Sequence, residues 1–266
     1  MNANPSEKAF NGEVIGVIPA RLSSTRFPNK PLALIGGVPL VCWTWLNATR
    51  VKSLREVFVA AEDPEIVSAV TKFGGQAKLV QGRFSSGSDR IAAAVESLES
   101  AAVVNIQGDE PFVDPAAIDA ALHLLQARED FGITTLAKVI RGVEEYRNPN
   151  NVKLVMDRQN RCLYFSRSPI PACHQAPEDG FPDNLKVWRH LGIYCYRREA
   201  LSAYRKWAPS PLEISESLEQ LRYLEHGGNI GAVEAVKAGP DINAPEDIES
   251  AENYIRTNHI TFDHSL

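Results

Sequence analysis

The sequence predicts an α/β fold: a parallel sheet with helices on both faces, then a smaller mixed-sheet portion and closing helices. Three observations predict it. Short apolar runs bounded by turn residues alternate with helix-length segments at intervals of roughly 20 to 30 residues, the pattern of βα units. Those runs are apolar throughout rather than on alternate residues, as strands buried on both faces are. From Gly132 onward strand-like runs follow one another through turns, with few helices between them.

Taken in order, Val14-Ile-Gly-Val-Ile18 is a buried strand stopped by Pro19, followed by a polar loop through Asn29. A helix is predicted from about Pro39 to Val51, and Val57-Phe-Val-Ala-Ala61 is the next strand. Asp63-Pro64-Glu65 sets an N-cap before proline at the first helical position, and Gly74-Gly75 ends that helix. Lys78-Leu-Val80 is a third strand, Asp89–Leu98 a helix, Ala102-Val-Val-Asn-Ile106 the clearest buried strand, and Pro115–Arg128 a helix. Ile133–Val139, Val152–Met156, Cys162–Phe165 and Leu191–Tyr196 form the mixed-sheet part. Pro169–Asn184, rich in proline, is expected to be a long loop near a site. Closing helices are predicted at Glu199–Trp207, Leu212–His226 and Pro245–Thr257; on the second, Leu218, Leu221 and Leu224 make a core stripe.

Composition narrows the function classes. With 44% apolar and 23% charged residues, the 266-residue chain has the composition of a globular protein and needs neither disulfide nor metal to hold its core. A net charge of −5, from 28 Lys+Arg against 33 Asp+Glu, gives no long-range attraction for nucleic acid but permits a local basic pocket for a small anion. The 4 cysteines include no C-x-x-C pair, which suits reduced thiols in a cytoplasmic protein and argues against a zinc site. No apolar run approaches the roughly 18 residues a membrane span needs, and polar Met1–Gly12 shows no apolar run before a cleavage site, so no secretory signal is expected there.

In a parallel α/β sheet, ligands bind beyond the carboxyl ends of the strands. Two loops at that edge carry chemistry. Ile18-Pro-Ala-Arg-Leu-Ser-Ser-Thr-Arg-Phe-Pro-Asn-Lys30 places Arg21, Arg26 and Lys30 directly after the first strand. Small hydroxyl residues let the backbone approach a ligand, and three cations neutralise a triphosphate; no P-loop motif is present. In Val104-Asn-Ile-Gln-Gly-Asp-Glu-Pro111, Asp109 can hold Mg²⁺ on a nucleotide through one carboxylate, and Gln107 can pair with a base or a sugar hydroxyl. Between these loops Ser86-Gly-Ser-Asp-Arg90 opens a helix, which alone is an ordinary cap.

Together these loops resemble the CMP-Kdo synthetases (3-deoxy-manno-octulosonate cytidylyltransferases) from Val14 to about Ile255. Further motifs carry the likeness: Asn148-Pro-Asn-Asn-Val-Lys153, Tyr164-Phe-Ser-Arg167, Arg189-His-Leu-Gly-Ile-Tyr194, Leu218-Glu-Gln-Leu-Arg222 and Ala244-Pro-Glu-Asp-Ile248. The resemblance implies Mg²⁺-dependent transfer of CMP from CTP to the anomeric hydroxyl of Kdo, with release of pyrophosphate, for lipopolysaccharide synthesis. It implies a Rossmann-like nucleotidyltransferase sheet of the glycosyltransferase A-like kind with a smaller mixed α+β dimerisation portion. One domain, 1–266, is expected: a nucleotide-binding core at 13–131, a sugar-binding and dimerisation insertion at 132–200, and closing helices with a metal-site strand at 201–258. The partners so implied are CTP, the acidic sugar and a second copy of the chain.

By the same resemblance Arg21, Lys30 and Asp109 are catalytic, and Arg26, Ser86, Gly87, Ser88, Asp89, Arg90 and Gln107 face the nucleotide. Arg167, His190, Tyr194, Glu219 and Gln220 meet the sugar; Gln107 also reaches it, and Arg167 or a protonated His190 pairs with its carboxylate. Glu216, Glu219 and Gln220 are expected on one helical face. There are two departures. The family's Gly-Val-Asp-Thr-Pro-Glu-Asp reads Gly239-Pro-Asp-Ile-Asn-Ala-Pro-Glu-Asp247 here, so the uncharged Asn243 stands where a metal-binding aspartate is usual. Asp241, two residues earlier on an extended segment, faces the same side and is a candidate replacement. Ala60-Ala-Glu-Asp63 stands in place of Ala-Thr-Asp-Asp. The alternatives at this stage are a cytidylyltransferase for another acidic sugar or a phosphonate, and a weak CTP-binding homologue.

Overall fold

The computed structural model describes residues 12–23, 27–82, 84, 87–173, 181–182, 185–237 and 239–263. Within them the chain runs β1 Val14–Ala20, the short pair β2 Leu34–Ile35 and β3 Val38–Pro39, α1 Leu40–Ala48, β4 Glu56–Ala61, α2 Pro64–Lys72, β5 Ala77–Leu79, α3 Gly87–Ala94, β6 Ala102–Asn105 and α4 Pro115–Ala127. It continues with β7 Ile133–Ile140, α5 Val143–Arg147, β8 Lys153–Met156, β9 Cys162–Ser166, β10 Val187–Arg197, α6 Arg198–Tyr204, α7 Pro211–Glu216, α8 Gln220–Glu225, β11 Ile230–Glu234 and α9 Asp247–Thr257.

Among the described residues the main sheet has nine strands, seven of them in the order β11-β7-β10-β6-β1-β4-β5, with β8 and β9 branching from β10. β1 pairs in parallel with β4 and β6, β4 with β5, and β7 with β11. β10 runs antiparallel between β6 and β7. The mixed part is therefore continuous with the parallel core. Both faces are covered, which explains the uninterrupted apolar strands: Val14 and Ile18 of β1 pack with Val104 and α4, while Ile15 and Val17 pack on the other side with Val103 and Ile91.

Topology places the site. From β1 the chain builds outward through β4 and β5, then returns to lay β6 on β1's other flank. The loops after β1 and β6 thus meet at a switch point, where the connections diverge and leave a crevice. Because β10 is antiparallel, with Tyr194 opposite Asn105, its residues before Tyr194 project past the end of β6 and wall that crevice.

Three predicted features differ. The helix expected over Leu212–His226 is broken into α7 and α8 at Ser217, whose φ is 52° and ψ 48°. The cause is Arg167, whose Nε and Nη2 donate to the carbonyls of Glu216 (2.8 Å) and Ser217 (3.3 Å), so that those oxygens serve the guanidinium at the helix end. Glu216, Glu219 and Gln220 consequently do not share one helical face. The metal-site strand is also absent among the described residues: Gly239–Asn243 is irregular chain, docked by Gly239 N on Phe112 O (3.1 Å) and Ile242 N on Asp109 O (2.9 Å). The strand in this region is β11, which sequence patterning passes over. Most of the predicted 169–184 loop lies outside the described residues.

Candidate active site

The crevice is a polar cleft of about 410 Å³ lined by Gly87, Gln107, Asp109, Glu110, Arg167, Arg189, His190, Tyr194, Glu219, Gln220, Asp241 and Asn243, among others. Residues far apart in sequence are brought together there. Arg26 and Ser86 lie outside the described residues.

The loop after β1 is folded back by Asn29 N on Leu22 O (3.2 Å) and Lys30 N on Phe27 O (3.2 Å), with Asn29 left-handed at φ 58°. This turn aims Lys30 at the end of β6. Its Nζ donates to Asp109 Oδ2 (2.8 Å) and to Ile242 O (2.9 Å). Arg21 is exposed at the carboxyl end of β1. The Ala60–Asp63 segment supports the same edge: Asp63 Oδ2 accepts from Leu22 N (2.9 Å), and Glu62 pairs with Arg90 Nη2 (2.5 Å).

The helix-opening motif divides by reach. Gly87 lines the cleft, and a Cβ there would lie 3.4 Å from Pro19 Cγ and 3.8 Å from Gln107 Nε2. Asp89 is half-buried in the first turn of α3. Ser88 is fully buried and acts as a link, with Oγ 3.0 Å from Tyr196 Oη and donating to Glu219 Oε1 (2.9 Å). Arg90 is 5% exposed, with its guanidinium spent on Glu62 and on Val80 O (2.9 Å). Both stand behind the wall and set its shape. Gln107 packs against Gly192, where a Cβ would approach its Cγ to 2.9 Å.

The opposite wall is denser. Tyr194 Oη donates to Gln220 Oε1 (3.1 Å), and the buried Nε2 of Gln220 has no partner among the described residues. An unpaired buried amide hydrogen is costly. His190 is buried, and burial together with the neighbouring Arg189 guanidinium pushes its pKa down to about 3. A ring held neutral cannot be the cationic partner of a sugar carboxylate, which corrects that expectation. Arg167 lines the cleft with its guanidinium donating to the carbonyls of Glu216, Pro149 (3.1 Å) and Ser217, and Arg189, 13% exposed, lines it beside His190.

Carboxylates gather at one end. Arg189 Nη2 donates to Asp241 Oδ2 (2.6 Å), and Asn243 Nδ2 donates to the same oxygen (2.5 Å), so Asp241 and Asn243 do face one side. Burial raises the Asp241 pKa, but the Arg189 charge and hydrogen bond outweigh it and hold the carboxyl below its usual range. Glu110 beside it is pushed up to about 8 by burial first and then by Asp109 and Asp241, against Arg189 and Lys138. Glu110 and Arg189 also line the cleft, though their sequence motifs point only to their neighbours Asp109 and His190.

With this geometry in view, likeness to known proteins becomes decisive: a cytidylyltransferase family model matches residues 15–257. The chain belongs to the cytidylyltransferase family. It is 42% identical to a 3-deoxy-manno-octulosonate cytidylyltransferase of Leptospira biflexa over 90% of this chain and 95% of that one. It is 43% identical to the protein of the same name from Thermodesulfovibrio yellowstonii, over 91% and 98%. A solved structure of CMP:2-keto-3-deoxy-manno-octonic acid synthetase complexed with CTP superposes with a TM-score of 0.85 at 34% identity, covering 92% of this chain and 99% of that chain. The nucleotidyltransferase sheet expected from the sequence is the fold of this cytidylyltransferase. Among the described residues no helix is long and apolar enough to cross a membrane.

Proposed function

We propose that this cytidylyltransferase transfers CMP from CTP to the anomeric hydroxyl of Kdo and releases pyrophosphate, supplying activated sugar for lipopolysaccharide synthesis as a cytoplasmic homodimer. The observation that carries the reading is the set of side chains that meet in one cleft: Gln220, Tyr194, His190, Glu219 and Arg167 line it together with Asp109, the partner of Lys30, which suits a polyhydroxylated acid beside a triphosphate.

Attack on the α-phosphorus asks little covalent work of the protein, so alignment and charge neutralisation carry the rate. Arg21 and Lys30 would neutralise the departing pyrophosphate, with Arg26 in the same loop. Gly87, Ser88, Asp89, Arg90 and Gln107, with Ser86, would shape the cytidine side, Ser88 and Arg90 from behind the wall. Gln107, Arg167, His190, Tyr194, Glu219 and Gln220 would hold the sugar. Asp109, whose Oδ2 also accepts from Lys30, Asp241 and the amide oxygen of Asn243 are hard oxygen donors that line the cleft, a donor chemistry that suits Mg²⁺. When bound there, Mg²⁺ supplies charge screening of the phosphate oxygens. One carboxylate fewer than the family pattern predicts a weaker hold on the ion.

The test is pyrophosphate release from CTP and Mg²⁺ with and without Kdo. Kdo-dependent release supports the reading. Release only with another acidic acceptor, or none with any, refutes it.

A further inference from the structure

β10 is bulged: its register with β7 shifts between Leu191 and Tyr194, just where it passes the cleft. Thr135, fully buried on β7, turns its hydroxyl onto the irregular stretch. Its Oγ1 lies 2.6 Å from Ile193 O, 3.3 Å from Leu191 O and 2.9 Å from His190 Nε2. A hydroxyl owns one hydrogen, and a carbonyl owns none. Two oxygens at 2.6 Å need a hydrogen between them, so the Thr135 hydrogen points at Ile193 O. What remains toward His190 is a lone pair, and only a ring N–H can meet a lone pair favourably. The proton of the neutral ring therefore sits on Nε2, and Nδ1 is bare.

We infer that Thr135 is a positioning residue that fixes His190 as the Nε2–H tautomer, so that its Nδ1 accepts a hydrogen bond from a hydroxyl of the acidic sugar in the cleft. The inference deepens the proposed reaction and rests on it for the identity of the sugar. The ring plane is held by Phe165, edge-on with centroids 5.1 Å apart, and by Tyr194 at 5.2 Å. Nδ1 has no hydrogen-bond partner among the described residues. The consequence is directional. A carboxylate has no hydrogen to give and would meet the Nδ1 lone pair repulsively, so the acid group of the acceptor turns away from His190 and toward the Arg167 and Arg189 side. A hydroxyl takes its place. Thr135 thereby selects which end of the sugar faces which wall.

The test reads the tautomer itself. Two-bond proton–nitrogen correlation spectra of ¹⁵N-histidine-labelled full-length protein, with the His190 signals assigned by their loss in His190→Gln, should show Nε2–H in the wild type and in Thr135→Ser. Thr135→Val, which keeps the shape and loses the lone pair, should lose that preference and raise the KM for Kdo about tenfold, the worth of one hydrogen bond, with the KM for CTP changed less than twofold. A wild-type ring protonated on Nδ1 overturns the inference. So does a Thr135→Val protein whose tautomer and KM for Kdo both match the wild type. The spectra need no substrate, so they judge Thr135 even if the wild type fails to release pyrophosphate with Kdo, a failure that would count against the reaction instead.

Discussion

Lys153 is a lysine with its side chain fully buried, and replacing it by methionine should be among the most damaging single changes to the acceptor wall. Its Nζ donates to three carbonyls: Asn148 O (3.0 Å), Asn151 O (2.6 Å) and Arg167 O (2.5 Å). One ammonium thus ties the 148–151 loop to Arg167, which in turn grips Glu216 and Ser217. Burial, and then the Arg167 charge, lower the Lys153 pKa, with Glu216 opposing, so the charge is held at a cost. Methionine matches the length and removes that cost but orphans the carbonyls of Asn151 and Arg167, Asn148 O keeping the Asn151 N–H (3.1 Å), at about 1–3 kcal/mol each, or roughly 2–6 kcal/mol together. Relief of the buried charge offsets part of this, leaving a net loss of about 2 kcal/mol. At about 2–4 °C per kcal/mol for a domain of this size, Tm should fall by roughly 4–8 °C. Differential scanning calorimetry measures this directly, and steady-state kinetics should show the KM for the acid acceptor rising while that for CTP holds. A variant that melts within about 2 °C of the wild type, with both KM values unchanged, would refute the claim that this ammonium organises the wall.

Lys30→Ala should leave Tm nearly unchanged, because the pair it makes with Asp109 is part-exposed, yet lower pyrophosphate release by at least about a hundredfold, or roughly 3 kcal/mol of transition-state stabilisation. Wild-type turnover in that variant would remove the triphosphate clamp. His190 has a folded pKa of about 3 against an ordinary histidine value of 6.5, so between those values the unfolded chain binds more protons. Its stabilising effect is whole above pH 6.5 and is lost as pH falls toward 3, at up to about 1.4 kcal/mol per pH unit. Urea titrations of wild type and His190→Gln should show a shallower acid loss in the variant; parallel curves would contradict a buried neutral ring. Asp241→Ala should raise the Mg²⁺ concentration needed for half-maximal activity several-fold, and an unchanged requirement would leave Asn243 as the ligand on that side.

The sheet was legible because burial on both faces writes an unbroken apolar run, and β1, β4 and β6 lie within a residue or two of their predicted bounds. β11 was not. Its core, Ile230-Gly-Ala-Val-Glu234, follows Gly227 and Gly228 and contains Gly231, where a Cβ would lie 2.6 Å from Phe131 ring atoms. Glycine is there for a close approach of backbone to ring, and close approach erases the side-chain signal on which pattern reading depends. The break at Ser217 was hidden for a related reason. Its cause is Arg167, whose distance along the chain no local periodicity can register.

The site shows the same division between local and distant causes. Lys30 and Asp109 could be singled out because each follows a strand that ends at the switch point, and the fold alone then makes them neighbours. Arg189 could not, because its importance comes from Asp241, and that pairing needs β10 to run antiparallel past the end of β6. This pairing also bears on the missing family aspartate. Asp241 is not a spare carboxylate waiting beside Asn243: one oxygen already receives both Arg189 and the Asn243 amide. A cation that uses Asp241 must take that oxygen from Arg189 or bind through the other one, and in either case the guanidinium stays within reach of whatever anion the cation brings. The substitution that weakens the carboxylate set thus leaves an arginine at the same spot, so the cleft loses negative charge where it would hold a metal and keeps positive charge where it would hold an acid.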